Sequence, residues 1–162
     1  MELFSFPNPV NEKAARTVAG GVVVLSLVAL LPGLTWLAAP IAVGFLLRVA
    51  AGPRFSPLGQ LATRLIAPRL GPAKLVPGPP KRFAQAIGAT LSTAAAVCHF
   101  GFGATGLARV LLALIVVAAA LESVLAVCLG CALFKQLMRA GIVPAEVCLA
   151  CNNISLRSSQ NG

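Results

Sequence analysis

The sequence is poor in charged residues, and above all in acidic ones. Lysine and arginine number 13, acidic residues number 4 (all glutamate), and charged residues make up only 10% of the 162 residues. Soluble domains carry about 25% charged residues. This scarcity, together with 58% hydrophobic residues, excludes a disordered chain and an ordinary soluble enzyme.

Residues that carry hydrolytic chemistry are scarce as well. The chain has one histidine. Its sequence shows no phosphate-binding glycine loop, paired catalytic carboxylates, nucleophile–histidine arrangement or haem motif. These absences argue against hydrolytic catalysis, and they leave open whether the protein is an enzyme of another kind.

What the chain does contain is apolar sequence, more than a compact domain of this length can bury. A helix that spans a bilayer needs ~20 apolar residues. Four apolar segments cover residues 14–31, 34–51, 83–103 and 107–134. Short turns rich in proline and glycine join these segments in pairs. The sequence therefore predicts a single all-α membrane domain: a four-helix transmembrane bundle of two helical hairpins, with a basic connector (52–82) and a tail (135–162).

The first hairpin is less apolar than the second. Arg16 and Arg48 cut into its inner ends, and Pro40 is expected to kink its second segment. Both arginines can extend to the lipid headgroups. We therefore expect a hairpin that spans the membrane, with a re-entrant hairpin as the alternative.

Basic charge indicates the orientation. Twelve of the 13 basic residues lie in the N-terminal flank, the connector and its edges, or the tail, and Arg109 alone lies near the opposite turns. The positive-inside rule then places both termini and the connector in the cytoplasm. Topology and contact with anionic headgroups account for the net charge of +9, so we do not expect a nucleic-acid partner.

Two further patterns concern packing. Residues 57–70 have apolar positions at helical spacing and are predicted to form an amphipathic helix at the inner interface, whereas 71–80, rich in proline, should be extended and poor in hydrogen bonds. In the third segment Ala84, Gly88, Ser92 and Ala96 recur every four residues. Such a stripe of small residues lets another helix approach closely, either within the chain or in a homodimer.

Four of the five cysteines form two CxxC pairs, Cys128 with Cys131 and Cys148 with Cys151. The predicted topology places all four thiols on the reducing side, where structural disulfides are disfavoured. The four thiolates together suit Zn²⁺ or an iron–sulfur centre. Cys128 and Cys131, expected on one face at the inner end of the fourth helix, also suit redox exchange or sulfur transfer. Simple packing of small side chains is the third interpretation.

Glu122 is the acid that lies inside a predicted span, where an unpaired charge is costly. Arg48 has a similar predicted depth, so we expect an intramembrane ion pair between Glu122 and Arg48. This pair is either structural or part of a proton or cation relay beside the cysteines. Cys98 and His99, near the outer end of the third segment, are expected to pack rather than to bind a ligand.

Several runs of the chain resemble a bacterial family of membrane proteins, the domain-of-unknown-function family numbered 4395. The runs that carry the resemblance are residues 52–57, 68–72, 79–88, 128–131 (the CxGC motif) and 142–152. The resemblance implies a small integral protein of the bacterial cytoplasmic membrane, without an assigned activity. It also implies a context of sulfurtransferase-like and thioredoxin-like partners.

The sequence thus predicts a membrane protein with a cytoplasmic-side cysteine site, which handles electrons or sulfur. Cys128 and Cys131 are the candidates for catalysis. One alternative is an accessory subunit of a membrane complex, whose tail is clamped by a metal at Cys128, Cys131, Cys148 and Cys151. A weaker alternative is a transporter of a sulfur-containing anion that uses Arg48 and Glu122.

Overall fold

The computed structural model describes residues 10–144, which are mostly helical. The main elements in chain order are β1 (Val10–Asn11), α1 (Glu12–Ala29), α2 (Ala38–Ala51), α3 (Pro57–Leu61), β2 (Leu75–Val76), α4 (Gly78–Phe100), α5 (Thr105–Leu125) and α6 (Leu129–Arg139). Tight helical turns at Thr35–Leu37 and Gly52–Arg54 flank α2. The turns Ala62–Ile66 and Ala67–Leu70 continue α3.

Within residues 10–144, three stretches are long and apolar enough to cross a membrane. They are Thr35–Leu70, which contains α2, and the helices α4 and α5. α1 has 18 residues but carries Glu12, Lys13 and Arg16 near its start. A helical protein with membrane-capable helices is therefore confirmed.

The helices pack through small side chains. α1 lies against α5, α4 lies against both α2 and α5, and the shared core consists largely of alanine, valine and a few larger side chains such as Leu112 and Phe45. The small-residue stripe of α4 takes part in this packing. A Cβ atom at Gly88 would lie 2.3 Å from Cε1 of Phe45, and Ser92 is fully buried. The stripe thus serves close packing within the chain.

Polar contacts join several helix ends at one end of the molecule. At this end, Nη2 of Arg16 at the start of α1 donates to the carbonyl oxygens of Ser123 (3.0 Å) and Val124 (3.2 Å), at the end of α5. At the same end Nε of Arg82 donates to the carbonyl oxygen of Val49, 3.1 Å away. Arg16 thereby satisfies carbonyl groups that the end of α5 leaves without a helical partner.

The connector differs from its prediction in one respect. Segment 71–80 is not extended throughout, because residues 78–80 belong to α4; before them, β2 pairs antiparallel with β1, Val76 with Val10 and Leu75 with Asn11. Backbone pairing satisfies polar groups that an isolated extended segment would leave to solvent. Segment 57–70 is helical as predicted; it turns small residues inward, and Leu61 and Leu65 are about half exposed.

The fourth predicted segment, 107–134, is not one helix, and this prediction was wrong. α5 ends at Leu125, Ala126 adopts a left-handed conformation with φ of 57°, and α6 begins at Leu129. Twenty-eight residues are more than a bilayer requires of one helix. The turn after Leu125 lets α6 pack against α4 instead of extending α5.

The contact of Gly88 with Phe45 generates a prediction about stability. We expect Gly88→Ala to lower the free energy of unfolding by about 1–3 kcal/mol, because the added methyl group overpacks the contact with the Phe45 ring. Gly106→Ala is the matched control, since no atom lies within 4 Å of a Cβ there. Loss of helical circular dichroism on heating in detergent measures both. Equal or greater stability of Gly88→Ala relative to Gly106→Ala would contradict the packing described.

Candidate functional site

The first CxxC pair lies at the start of α6. Cys128 is the N-cap residue, with extended backbone, and its Sγ accepts a hydrogen bond of 3.3 Å from the backbone N–H of Cys131. Ser, Thr, Asp and Asn usually occupy this position because their side chains accept such a bond. The expectation that both cysteines share a face at the end of the fourth helix is therefore corrected. Cys128 precedes a new helix, and Cys131 lies in its first turn.

Two contacts hold this first turn against α4. A Cβ atom at Gly130 would lie 2.5 Å from Cα of Ala84, so the glycine allows α6 to approach the α4 backbone. One turn later, the rings of Phe134 and Phe83 lie 5.7 Å apart, tilted by 57°. Together these contacts place the thiols beside the first turns of α4.

A buried ion pair lies next to the thiols. Nζ of Lys81 in α4 contacts Oε1 of Glu122 in α5, and their side chains are only 10% and 12% exposed. The expected partner of Glu122 was Arg48, and this expectation was wrong. The third predicted segment began at residue 83, whereas α4 begins at Gly78 and therefore includes Lys81.

Arg48 has a different role. Its Nε donates to Oε1 of Gln85 (3.0 Å), its Nη1 donates to Oγ of Ser56 (3.1 Å), and its guanidinium lies 4.5 Å from the centre of the Phe45 ring. These contacts join α2 to α4 and to the turn before α3. Arg48 is 5% exposed, and these contacts give it a structural role.

The two thiols have different acidities. The hydrogen bond from the Cys131 thiol to the Cys128 sulfur is the main factor that lowers the pKa of Cys128, and the positive charge of Lys81 acts in the same direction. Burial and the charge of Glu122 oppose this shift. The same hydrogen bond raises the pKa of Cys131, and burial raises it further. Cys128 is therefore the more acidic of the two thiols, and Cys131 holds its proton more tightly.

The second pair, Cys148 and Cys151, lies outside the described residues. Within residues 10–144, no three His, Cys, Asp or Glu side chains come close enough together to hold a metal ion. A metal site made of all four cysteines thus remains a prediction. Cys98 packs beside the core, and Nδ1 of His99 lies 3.3 Å from Oγ1 of Thr105.

A cavity of about 390 Å³ extends from Cys128 between α1, α2, α4, α5 and α6. Most of its described lining is aliphatic, from Val18 and Val22 in α1 to Leu114 and Val117 in α5. The polar side chains on its wall are Gln85, Glu122 and Cys128. Its size lies within the range of about 300–1,000 Å³ that is typical of small-molecule sites.

Sequence reasoning missed Lys81, Gln85 and the cavity. A signal for Lys81 was present, because proline favours the first turn of a helix, and Pro79 and Pro80 directly precede it. That signal places Lys81 inside the helix rather than in the connector. The depth of Gln85 and the cavity depend on packing between five helices, which no local pattern encodes.

A protein-family model matches most of the chain. The family model described as "Domain of unknown function (DUF4395)" matches residues 10–139. This range includes Lys81, Glu122, Cys128 and Cys131, and it ends before Cys148. No curated protein and no solved structure matches the chain.

The ion pair generates the first prediction about this site. Lys81→Met leaves the Glu122 carboxylate buried without its partner, which we expect to cost about 3–5 kcal/mol of unfolding free energy. The double variant Lys81→Met/Glu122→Gln removes both charges and is expected to recover most of that loss. Chemical unfolding in detergent measures both variants. A double variant as unstable as Lys81→Met would contradict the pairing.

The hydrogen bond between the thiols generates the second prediction about this site. In a chain with Cys98, Cys148 and Cys151 replaced by serine, the rate of Cys128 alkylation by iodoacetamide should rise at a pH below the ordinary thiol pKa of about 8.5, because thiolate is the reactive form. Cys131→Ala removes the donor and should move the midpoint to higher pH. Cys131→Ser keeps a donor and should move it less.

Mass spectrometry of the labelled peptide gives these rates. Equal midpoints for Cys131→Ala and Cys131→Ser would show that the side-chain hydrogen bond does not set the acidity of Cys128.

Proposed function

The chain belongs to the DUF4395 family, and from the geometry of its site we propose that it is a membrane thiol–disulfide redox protein. Cys128 is the nucleophile and Cys131 is the resolving thiol. The observation that supports this most is the sulfur of Cys128 at the N-cap of α6, which accepts a hydrogen bond from the N–H of Cys131. The Cys131 thiol also donates to this sulfur and is the main factor that lowers the pKa of Cys128, and in CxxC redox sites the thiol with the lower pKa attacks first.

The reaction is a two-step exchange with a thioredoxin-like partner. In one direction, the Cys128 thiolate attacks a sulfur of the partner's disulfide, a mixed disulfide forms, and one partner thiolate leaves. Cys131 then loses its proton and attacks the Cys128 sulfur, so that the second partner thiolate departs and is protonated. The protein is oxidised by two electrons and the partner is reduced by two; the reverse sequence reoxidises the partner.

The proposed setting is a four-helix bundle in the bacterial cytoplasmic membrane, with both termini cytoplasmic. The support comes from the three membrane-capable stretches and from α1, whose charged first turn bonds to the end of α5 at the same level. Basic side chains gather at this end, where the positive-inside rule favours the cytoplasm. In this orientation the thiols meet soluble cytoplasmic partners.

Two other functions have less support. Transfer of sulfur would use the same Cys128 thiolate, which would hold a persulfide taken from a sulfurtransferase-like donor. Transport through Arg48 and Glu122 is not favoured, because Arg48 is held by Ser56 and Gln85 and Glu122 is paired with Lys81. An accessory role with a four-cysteine metal site depends on Cys148 and Cys151.

A redox titration tests the proposal. The purified protein with serine at positions 98, 148 and 151 is equilibrated in mixtures of reduced and oxidised glutathione, quenched in acid and analysed by mass. We expect a reversible loss of two hydrogens, located in the peptide that contains Cys128 and Cys131. Cys131→Ser is the control, and it should accumulate a mixed disulfide with glutathione at Cys128 because it lacks the resolving thiol.

Two results would overturn the proposal. One is the absence of a Cys128–Cys131 disulfide at every glutathione ratio. The other is a stoichiometric metal ion bound to anaerobically purified protein that retains all its cysteines, if removal of the metal is what makes these cysteines reactive.

A further inference from the structure

The cavity beside the thiols combines features that single out one chemical class of ligand. It lies between the helices at the depth of the membrane-capable stretches, and on α5 its wall includes Leu114 and Val117, which are more than half exposed on the outer surface. An occupant can therefore arrive from the lipid phase, and it must be apolar over most of its surface. The polar groups of its lining lie near one another, because Glu122 is close to Cys128 and its partner Lys81 lies one helical turn before Gln85.

These polar groups suit a carbonyl oxygen on an apolar ring. Oε1 of Gln85 is held by Nε of Arg48 at 3.0 Å, so the amide is fixed with its nitrogen as the remaining donor side. Glu122, whose carboxylate is paired with Lys81, lies on the same wall as Gln85 and Cys128. A ligand with its carbonyl oxygen at these groups would place its ring beside the sulfur of Cys128.

We propose that this cavity binds a membrane quinone, which accepts the two electrons of the Cys128–Cys131 dithiol. The proposal rests on the proposed function, because it requires that the pair forms a disulfide. It adds a lipid-soluble partner through which this dithiol is reoxidised. Electrons from a soluble dithiol would thus pass through Cys128 and Cys131 to the quinone in the bilayer.

The reaction balances as follows. The Cys128 thiolate attacks a ring carbon of the quinone, an S–C bond forms, and a carbonyl oxygen takes the electron pair and one proton. Cys131 gives up its proton, which goes to the second oxygen, and its sulfur attacks that of Cys128. The S–S bond forms while the S–C bond breaks and leaves its electron pair on the ring. One thiolate, one thiol, one quinone and one proton from solvent yield one disulfide and one quinol.

The test uses ubiquinone-1, a quinone with a short tail and a fully substituted ring. Reduced protein with serine at positions 98, 148 and 151, in lipid nanodiscs without oxygen, is mixed with this quinone. Loss of quinone absorbance and formation of the Cys128–Cys131 disulfide are followed together. The proposal predicts one quinol for each disulfide.

A matched pair of variants on α5 tests the cavity itself. Ala118 lines the cavity, whereas Ala113 lies on the same helix and is not part of the described lining. Ala118→Phe should lower the ratio of the ubiquinone-1 rate to the oxidised-glutathione rate at least tenfold. Ala113→Phe should leave this ratio unchanged. The glutathione reaction also verifies that each variant is folded.

The outcomes separate the two proposals. A disulfide with glutathione but none with ubiquinone-1 overturns the quinone proposal and keeps the redox function. Equal rate ratios for Ala118→Phe and Ala113→Phe show that quinone reacts elsewhere and likewise overturn it. No disulfide with either oxidant overturns the redox function itself.

Discussion

The buried ion pair between Lys81 and Glu122 is the interaction on which the site depends. It connects the first turn of α4 to the last turns of α5, and both side chains are largely removed from solvent. A lone charge at this depth would be very unfavourable, so each group requires the other. The pair also places a positive charge close to Cys128 and Cys131 and a carboxylate on the cavity wall. The same contact therefore affects both the stability of the fold and the reactivity of the thiols.

The second determinant is the turn that follows α5. The left-handed conformation of Ala126 ends α5 and turns the chain. Arg16 binds carbonyl groups exposed at this helix end, and Gly130 lets α6 lie directly on α4. As a result, Cys128 caps α6 rather than continuing α5. This position makes the two thiols inequivalent, because the sulfur of Cys128 accepts a hydrogen bond from the Cys131 thiol and another from the N–H of Cys131. An uninterrupted helix would have given both cysteines similar surroundings.

Local sequence features predicted the helices, whereas features that depend on packing between helices were missed. Apolar length and the proline- and glycine-rich turns predicted helices long enough to span a membrane, because these features are local. The family resemblance is confirmed over residues 10–139. The partner of Glu122 was mispredicted because the start of α4 was placed five residues late, which excluded Lys81. The break at Ala126 was missed because residues 107–134 are apolar throughout most of their length, and hydropathy does not record a change of direction.

The cavity shows the same limit more clearly. Its wall combines side chains from five helices, among them Val18, Gln85 and Ala118, that are far apart in the sequence. Periodicity predicts which face of a helix is apolar, but not where neighbouring helices fail to fill the space between them. The polar part of the wall is formed by residues whose roles in the sequence looked unrelated: a glutamine, a glutamate expected to bind Arg48, and one cysteine of a CxxC pair.

The most direct measurement of the central claim is the oxidation state of Cys128 and Cys131 in native membranes. Cells that express the chain are quenched in acid, free thiols are blocked with one alkylating reagent, and disulfides are then reduced and labelled with a second reagent of different mass. The account predicts that both cysteines carry the second label together in a fraction of the molecules, and that this fraction falls when a dithiol reductant is added before quenching. Molecules in which Cys128 and Cys131 carry only the first label under every condition would contradict a redox role for this pair.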